Sequence, residues 1–103
     1  FHKDMALIVG EDDQVYDPVT AAQACDSLLT MSGVDASFII TKRSDGKVGV
    51  SARSTGAVNV QIIMERMGGG GHLSSGATQL EDKTIEDVKK LLLETIDHID
   101  DNE

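Results

Sequence analysis

Between Arg66 and Gly76 the chain reads RMGGGGHLSSG. Four successive glycines, Gly68 to Gly71, run straight into His72, and Ser74 and Ser75 follow. Each glycine loses more backbone freedom on folding than alanine would, at a cost of roughly 0.5–1 kcal/mol. Such a run is either a slack linker or a place where a side chain would block something. Successive amides with no Cβ in the way can form a concave nest for an anion, here Gly69, Gly70 and Gly71. His72 adds a directional donor, and a bound phosphate favours its charged form. Ser74 and Ser75 add hydroxyls. Upstream, in VGVSARS, alternation along a strand puts Ser51 and Arg53 on one face. An arginine at a strand exit can offer a two-pronged guanidinium to the same group. From residue chemistry alone, this constellation binds phosphate.

Other uses of glycine fit less well. No Lys follows the run, so a P-loop is excluded. A dinucleotide fingerprint would follow a strand and open a helix, whereas these glycines follow a helical pattern. The linker reading is opposed by buried elements on both sides.

Those elements must position the site. MALIVG, Met5–Gly10, reads as a buried strand. Glu11–Asp13 is an acidic turn read as a solvated loop rather than a metal site. Asp17-Pro18 starts a helix, Ala21, Cys25, Leu28 and Leu29 mark its apolar stripe, and Gly33 closes it. ASFIITKRSDGKVGVSARS reads as a hairpin turning at Asp45-Gly46. Its basic tip, Lys42, Arg43 and Lys47, reads as a solvated turn, with a protein contact as the alternative. Asn59 caps a second helix with Val60, Ile63, Met64 and Met67 on its buried stripe, and Gly68 ends it. GATQLED is a short edge strand. Thr84 caps a last helix buried through Ile85, Val88, Leu92, Ile96 and Ile99, with His98 at the surface. The expected order is β-α-β-β-α-(Gly loop)-β-α, an α/β (α+β) domain with one mixed sheet and packed helices over residues 1–103.

Bulk composition is consistent with this. The 103 residues suit one domain, 40% are hydrophobic and only 3% aromatic, so the core must be aliphatic. The lone Cys25 forms no disulfide within the chain, suits a reducing compartment, and reads as a core residue rather than a nucleophile. No signal peptide or membrane span is visible. Net charge is −9, which taken whole argues against a nucleic-acid or phosphate ligand, and duplex nucleic acid is not expected as a partner. The charge is uneven. Residues 36–72 carry five basic side chains and two acids, a balance of +3, and the remainder carries four lysines and sixteen acids, a balance of −12. An anion is drawn to the middle of the chain. No aromatic platform for a base is evident beyond Phe38, read as core, and Tyr16. The start at Phe1 and the closing helix are read as those of a C-terminal piece of a longer protein.

SARS at Ser51–Ser54, a short helix, and then GGGGHLSSGA at Gly68–Ala77 together resemble the DHHA1 domain, the C-terminal half of DHH-type phosphoesterases. The resemblance runs from Met5 into the last helix. NVQIIMERMGGGGH and the following ATQL are most similar to the membrane-anchored cyclic-di-AMP phosphodiesterase type. Other members continue Gly-His-x-x-Ala-Ala-Gly, where this chain has Ser75-Gly76-Ala77-Thr78. The resemblance implies a preceding DHH half holding two Mn²⁺ ions, with a metal-activated water as nucleophile. It implies that this half grips nucleotide phosphates through Gly69–Gly71, His72 and Arg53. Ser51 sits beside them, and Ser74 and Ser75 are more weakly matched. The expected substrate is cyclic-di-AMP, giving pApA, and the isolated chain is expected to be inactive, with no catalytic or metal-binding residue of its own. The expected partners are a cyclic or short linear dinucleotide and the DHH half, with a homodimer of the parent as a further option. The parent is expected in the membrane with this part on the cytoplasmic side. The alternatives are a half acting on short RNA or pGpG, and a non-catalytic nucleotide-sensing or oligomerisation module.

Overall fold

A computed structural model describes residues 4–11 and 14–101. Within them the chain forms β1 (Met5–Val9), α1 (Pro18–Ser32), β2 (Ala36–Lys42), β3 (Val48–Ser54), α2 (Val60–Arg66), β4 (Gly70–His72), β5 (Ser75–Leu80) and α3 (Ile85–Asp101). The five strands make one sheet in the order β1-β2-β3-β5-β4. β1 and β2 run parallel across the α1 crossover, and the other neighbours are antiparallel. The expected mixed α/β architecture is therefore present. Asp12 and Asp13 of the acidic turn, and His2, lie outside the described residues.

Three elements differ from the sequence reading. β1 is a half-buried edge strand with Ile8 exposed rather than a buried strand, because only β2 pairs with it. The glycine segment is not a loop: Gly70–His72 is strand β4, folded back on β5 through the two-residue turn Leu73-Ser74. The GATQL stretch is consequently not an edge strand. β5 lies between β3 and β4, and β4 takes the edge. No apolar alternation marks β4, because glycines supply most of it. That turn is tied down twice, since Val60 N–H donates to Leu73 O at 3.1 Å and Ser54 N–H to Ser74 O at 2.8 Å.

The sheet has two unlike faces. Phe38 and Ile40 on β2, with Val48, Val50 and Ala52 on β3, point to the main core. There they meet Val60, Ile63, Met64 and Met67 of the α2 segment and Ile85, Val88 and Leu92 of α3. The stripes read from helical spacing on α2 and α3 are buried here, with Ile96 and Ile99 packed at the margin, whereas on α1 only Ala21 and Cys25 are buried and Leu28 and Leu29 are half-buried. The opposite face receives α1, which places Cys25 in full burial against β2 and β3. The helix caps also hold: Asp17, Asn59 and Thr84 each accept a first-turn amide, and Gly33 takes the left-handed conformation at φ 67°.

The glycine run is fixed by sterics. Met67 caps α2, and Gly68 turns the chain out of the helix at φ 90°. Gly69 then passes so close to β5 that a Cβ there would meet the Ala77 carbonyl and come within 2.7 Å of the Thr78 Cα. Gly71, at φ 147°, would drive a Cβ into the Ser75 carbonyl and the Gly76 Cα. Gly70 has nothing within 4 Å of that position. Backbone atoms cannot swing aside as a side-chain end can. Gly69→Ala is therefore expected to destabilise the fold by about 2 kcal/mol or more, and Gly70→Ala by no more than about 1 kcal/mol. Urea denaturation of both variants checks this.

Asp17 gives the fold a pH dependence. Its carboxylate accepts Thr20 N–H at 2.8 Å and the Thr20 hydroxyl at 3.0 Å. The backbone donor, first, holds its pKa below the ordinary carboxylate value. Such a group contributes its full stabilisation above the unfolded value near ~3.9 and loses it as pH falls through the folded value. Asn also caps helices but does not titrate there. Urea midpoints measured from neutral pH down to acid should fall less steeply for Asp17→Asn than for the parent chain.

Candidate phosphate-binding face

Residues directly opposite each other in antiparallel strands project to the same face. Arg53 on β3 is opposite Ser75 on β5, and Ser75 is opposite His72 on β4. Three of the residues singled out from sequence thus form one row across three strands. The next row is Ser51, Ala77 and Gly70. Both rows lie on the α1 side of the sheet. α1 packs on β2 and β3 and leaves β5 and β4 open, so His72 and Ala77 are exposed and Ser75 half-buried. The result is a shelf with arginine, hydroxyl and imidazole in a line and a bare glycine beside them.

Several expected roles are modified by the hydrogen bonding. Gly68 N–H donates to Glu65 O at 3.1 Å and Gly69 N–H to Met64 O at 2.8 Å, so both amides finish α2. Gly69 makes a close approach to β5, and its amide is not a free donor. Ser51 is buried beneath α1, and its carbonyl accepts from the Cys25 thiol at 3.4 Å. Ser74 is exposed in the β4–β5 turn, which its carbonyl anchors. Arg53, Ser75, His72 and Gly70 remain as the group facing the shelf.

Arg53 is already oriented. Its Nε lies 2.8 Å from Asp26 Oδ1, and its Nη1 donates to the Ala52 carbonyl at 2.8 Å. Asp26 belongs to α1, one residue past Cys25, at the border of the buried stripe. Sequence reading missed it, because nothing local marks a helical aspartate as the partner of an arginine 27 positions later. Arg43 was also passed over as a solvated turn residue. Its stem lies over Gly49, its Nη2 is 3.2 Å from Asp45 Oδ2, and its Nε is buried without a partner. A cavity of about 220 Å³ opens beside it, lined by Arg43, Gly68, Gly69, Ala77, Thr78 and Gln79. Tyr16 lines a separate cleft between β1 and α1, and Phe38 is core, so neither flanks the row.

The pattern of the whole chain matches the DHHA1 domain model over residues 2–99. The chain belongs to the DHHA1 family. Among curated proteins it is 54% identical over 97 residues to the cyclic-di-AMP phosphodiesterase PdeA of Listeria monocytogenes, covering 94% of this chain and 15% of that protein. It is 55% identical over 92 residues to the cyclic-di-AMP phosphodiesterase GdpP of Geobacillus thermodenitrificans, covering 89% of this chain and 14% of the relative. The chain thus spans about 15% of the length of these phosphodiesterases. Among solved structures, a pGpG-specific phosphodiesterase from Vibrio cholerae, PggH, shares the fold at a TM-score of 0.62 and 15% identity, over 92% of this chain and 34% of that one. No group of three His, Cys, Asp or Glu side chains among the described residues could hold a metal ion. No helix among them is long and apolar enough to cross a membrane.

Cys25 supplies no chemistry to this DHHA1 face. It is fully buried, and desolvation, first, pushes its thiol above the usual pKa. Removal from water and loss of thiolate both suppress nucleophilicity. A disulfide reagent at neutral pH should modify the folded chain at least about 100-fold more slowly than the chain in urea, since core positions open rarely. Absorbance of the released thiol reports both rates.

Proposed function

We propose that this chain is the nucleotide-binding half of a cyclic-di-AMP phosphodiesterase whose product is pApA. The observation that carries the reading is the row Arg53–Ser75–His72, with Gly70 beside it on an open sheet face. A phosphodiester presents oxygens that accept charge-assisted bonds from guanidinium and imidazole and ordinary bonds from a hydroxyl. The names and similarity of the relatives supply the substrate class. In this reading the DHH half, preceding this domain, supplies two manganese ions and the attacking water. Residues of the present chain bind the phosphate, orient it and narrow water access, and they do not hydrolyse it alone. The parent is anchored in the membrane with this half on the cytoplasmic side.

Titration of the ¹⁵N-labelled chain with pApA and with cyclic-di-AMP tests the reading. Amide shifts are expected at Gly70, Gly71, His72 and Arg53, and His72→Ala should weaken binding by about tenfold or more, a charge-assisted bond being worth about 1.5–3 kcal/mol. If those amides stay silent in this chain and in the two-domain protein, the assignment of the site is wrong.

A further inference from the structure

The phosphate row accounts for one end of the open face and leaves the other end unexplained. Four residues along β3 from Arg53 stands Gly49, and four along β5 from Ser75 stands Gln79, opposite it. At the rise of a strand that separation is about 13 Å. One phosphate cannot span it, and a dinucleotide can. The cavity of about 220 Å³ lies at this far end, with Arg43 and Gln79 as its long polar side chains. It falls below the roughly 300–1,000 Å³ of pockets that enclose a whole drug-sized ligand, and so suits one ring system.

Arg43 is prepared for contact. Gly49 lacks the Cβ that would stand 3.2 Å from the Arg43 Cδ, so the arginine stem lies flat on β3. Asp45 holds Nη2, and the Nε is out of solvent. A side chain fixed in this way has already lost most of its rotamer freedom before a ligand arrives. Neither Phe38 nor Tyr16 lines this cavity, so among the described residues no aromatic ring is at hand for a nucleobase to stack on. Guanidinium planes serve that purpose in single-stranded recognition. A glutamine amide can pair with the N6 and N7 edge of adenine.

The geometry points to Arg43 and Gln79 as the base-reading end of the site, receiving a purine of the dinucleotide whose phosphate lies on the Arg53–Ser75–His72 row. The inference rests on the proposed function and adds the subsite that would set base preference. Affinities of the chain for pApA, pUpU and ribose 5-phosphate, measured by amide titration, test it. Arg43→Ala should weaken pApA at least tenfold, weaken pUpU much less, and leave ribose 5-phosphate unchanged. Arg43→Lys, which keeps the charge and loses the plane, should also lower the pApA-to-pUpU ratio, and Gln79→Ala should lower it about threefold. Equal losses for pApA and pUpU would make Arg43 a phosphate ligand and overturn the base assignment. Unchanged pApA affinity in Arg43→Ala, with His72→Ala still defective, would overturn this inference and spare the proposed function. A His72 amide that responds to none of the three ligands, in this chain and in the two-domain protein alike, would overturn both.

Discussion

The close approach of the glycine backbone to β5 is the constraint on which the rest depends. Gly69 and Gly71 leave no room for a Cβ against the carbonyls of Ala77 and Ser75. Only that proximity lets three residues, Gly70–His72, form a strand on the edge of the sheet. The pairing then fixes which way each side chain points, because register in a sheet decides the face. His72 reaches the same face as Arg53 by two steps of pairing through Ser75. A shift of one residue would turn the imidazole toward the opposite side. Gly69 and Gly71 are thus a register device, and Gly70 presents its bare backbone to the open shelf.

The same constraint links the site to the core. Gly69 N–H and Gly68 N–H complete the end of α2, whose Met64 packs beneath Gly76. Thr78 reaches under β5 to donate its hydroxyl to Met67 O at 3.0 Å. The β4 edge therefore cannot move without disturbing the buried stripe of α2. A short edge strand would ordinarily fray, since it is paired on one side only. Here the helix cap, the anchored turn and the buried threonine hold it. Rigidity of this kind would favour any ligand the row takes, because the donors are aligned before it arrives.

Much of this was legible in the sequence wherever a local rule applied. Caps at Asp17, Asn59 and Thr84, the stripe Val60–Met67 and the alternation of Val48, Val50 and Ala52 each follow from short-range periodicity and turn chemistry. The pairing of Ser51 and Arg53 on one face came from the same period of two. β4 was not legible, because glycines carry no side-chain pattern and its strand state exists only through β5. The mistaken edge assignment of β5 followed from that omission. Asp26 and Arg43 were missed for a related reason. Their roles arise from which element lies over which strand, and a helix-border aspartate or a hairpin arginine looks like any solvated charge until the sheet order is known.

The acidity of the chain does not work against an anion site, because the sheet separates the charges. α3 carries Glu86, Asp87, Glu94 and Asp97 and packs on the core face of the sheet, while the Arg53 row lies on the other. Layers packed on a sheet stand about 10 Å apart, and physiological salt screens exposed charges beyond about 8 Å. The distant acids therefore contribute little at the shelf, and the nearby balance counts. There, among the described residues, the carboxylate in contact with Arg53 is Asp26, whose side chain is 61% exposed where that of Arg53 is 20% exposed. An exposed partner contributes little to stability. It can nonetheless hold a guanidinium in one orientation while its own charge stays largely in water. Asp26 takes the Nε edge and Ala52 O takes Nη1. The donors that remain belong to Nη2 and the second N–H of Nη1, and neither is needed to keep the aspartate in place.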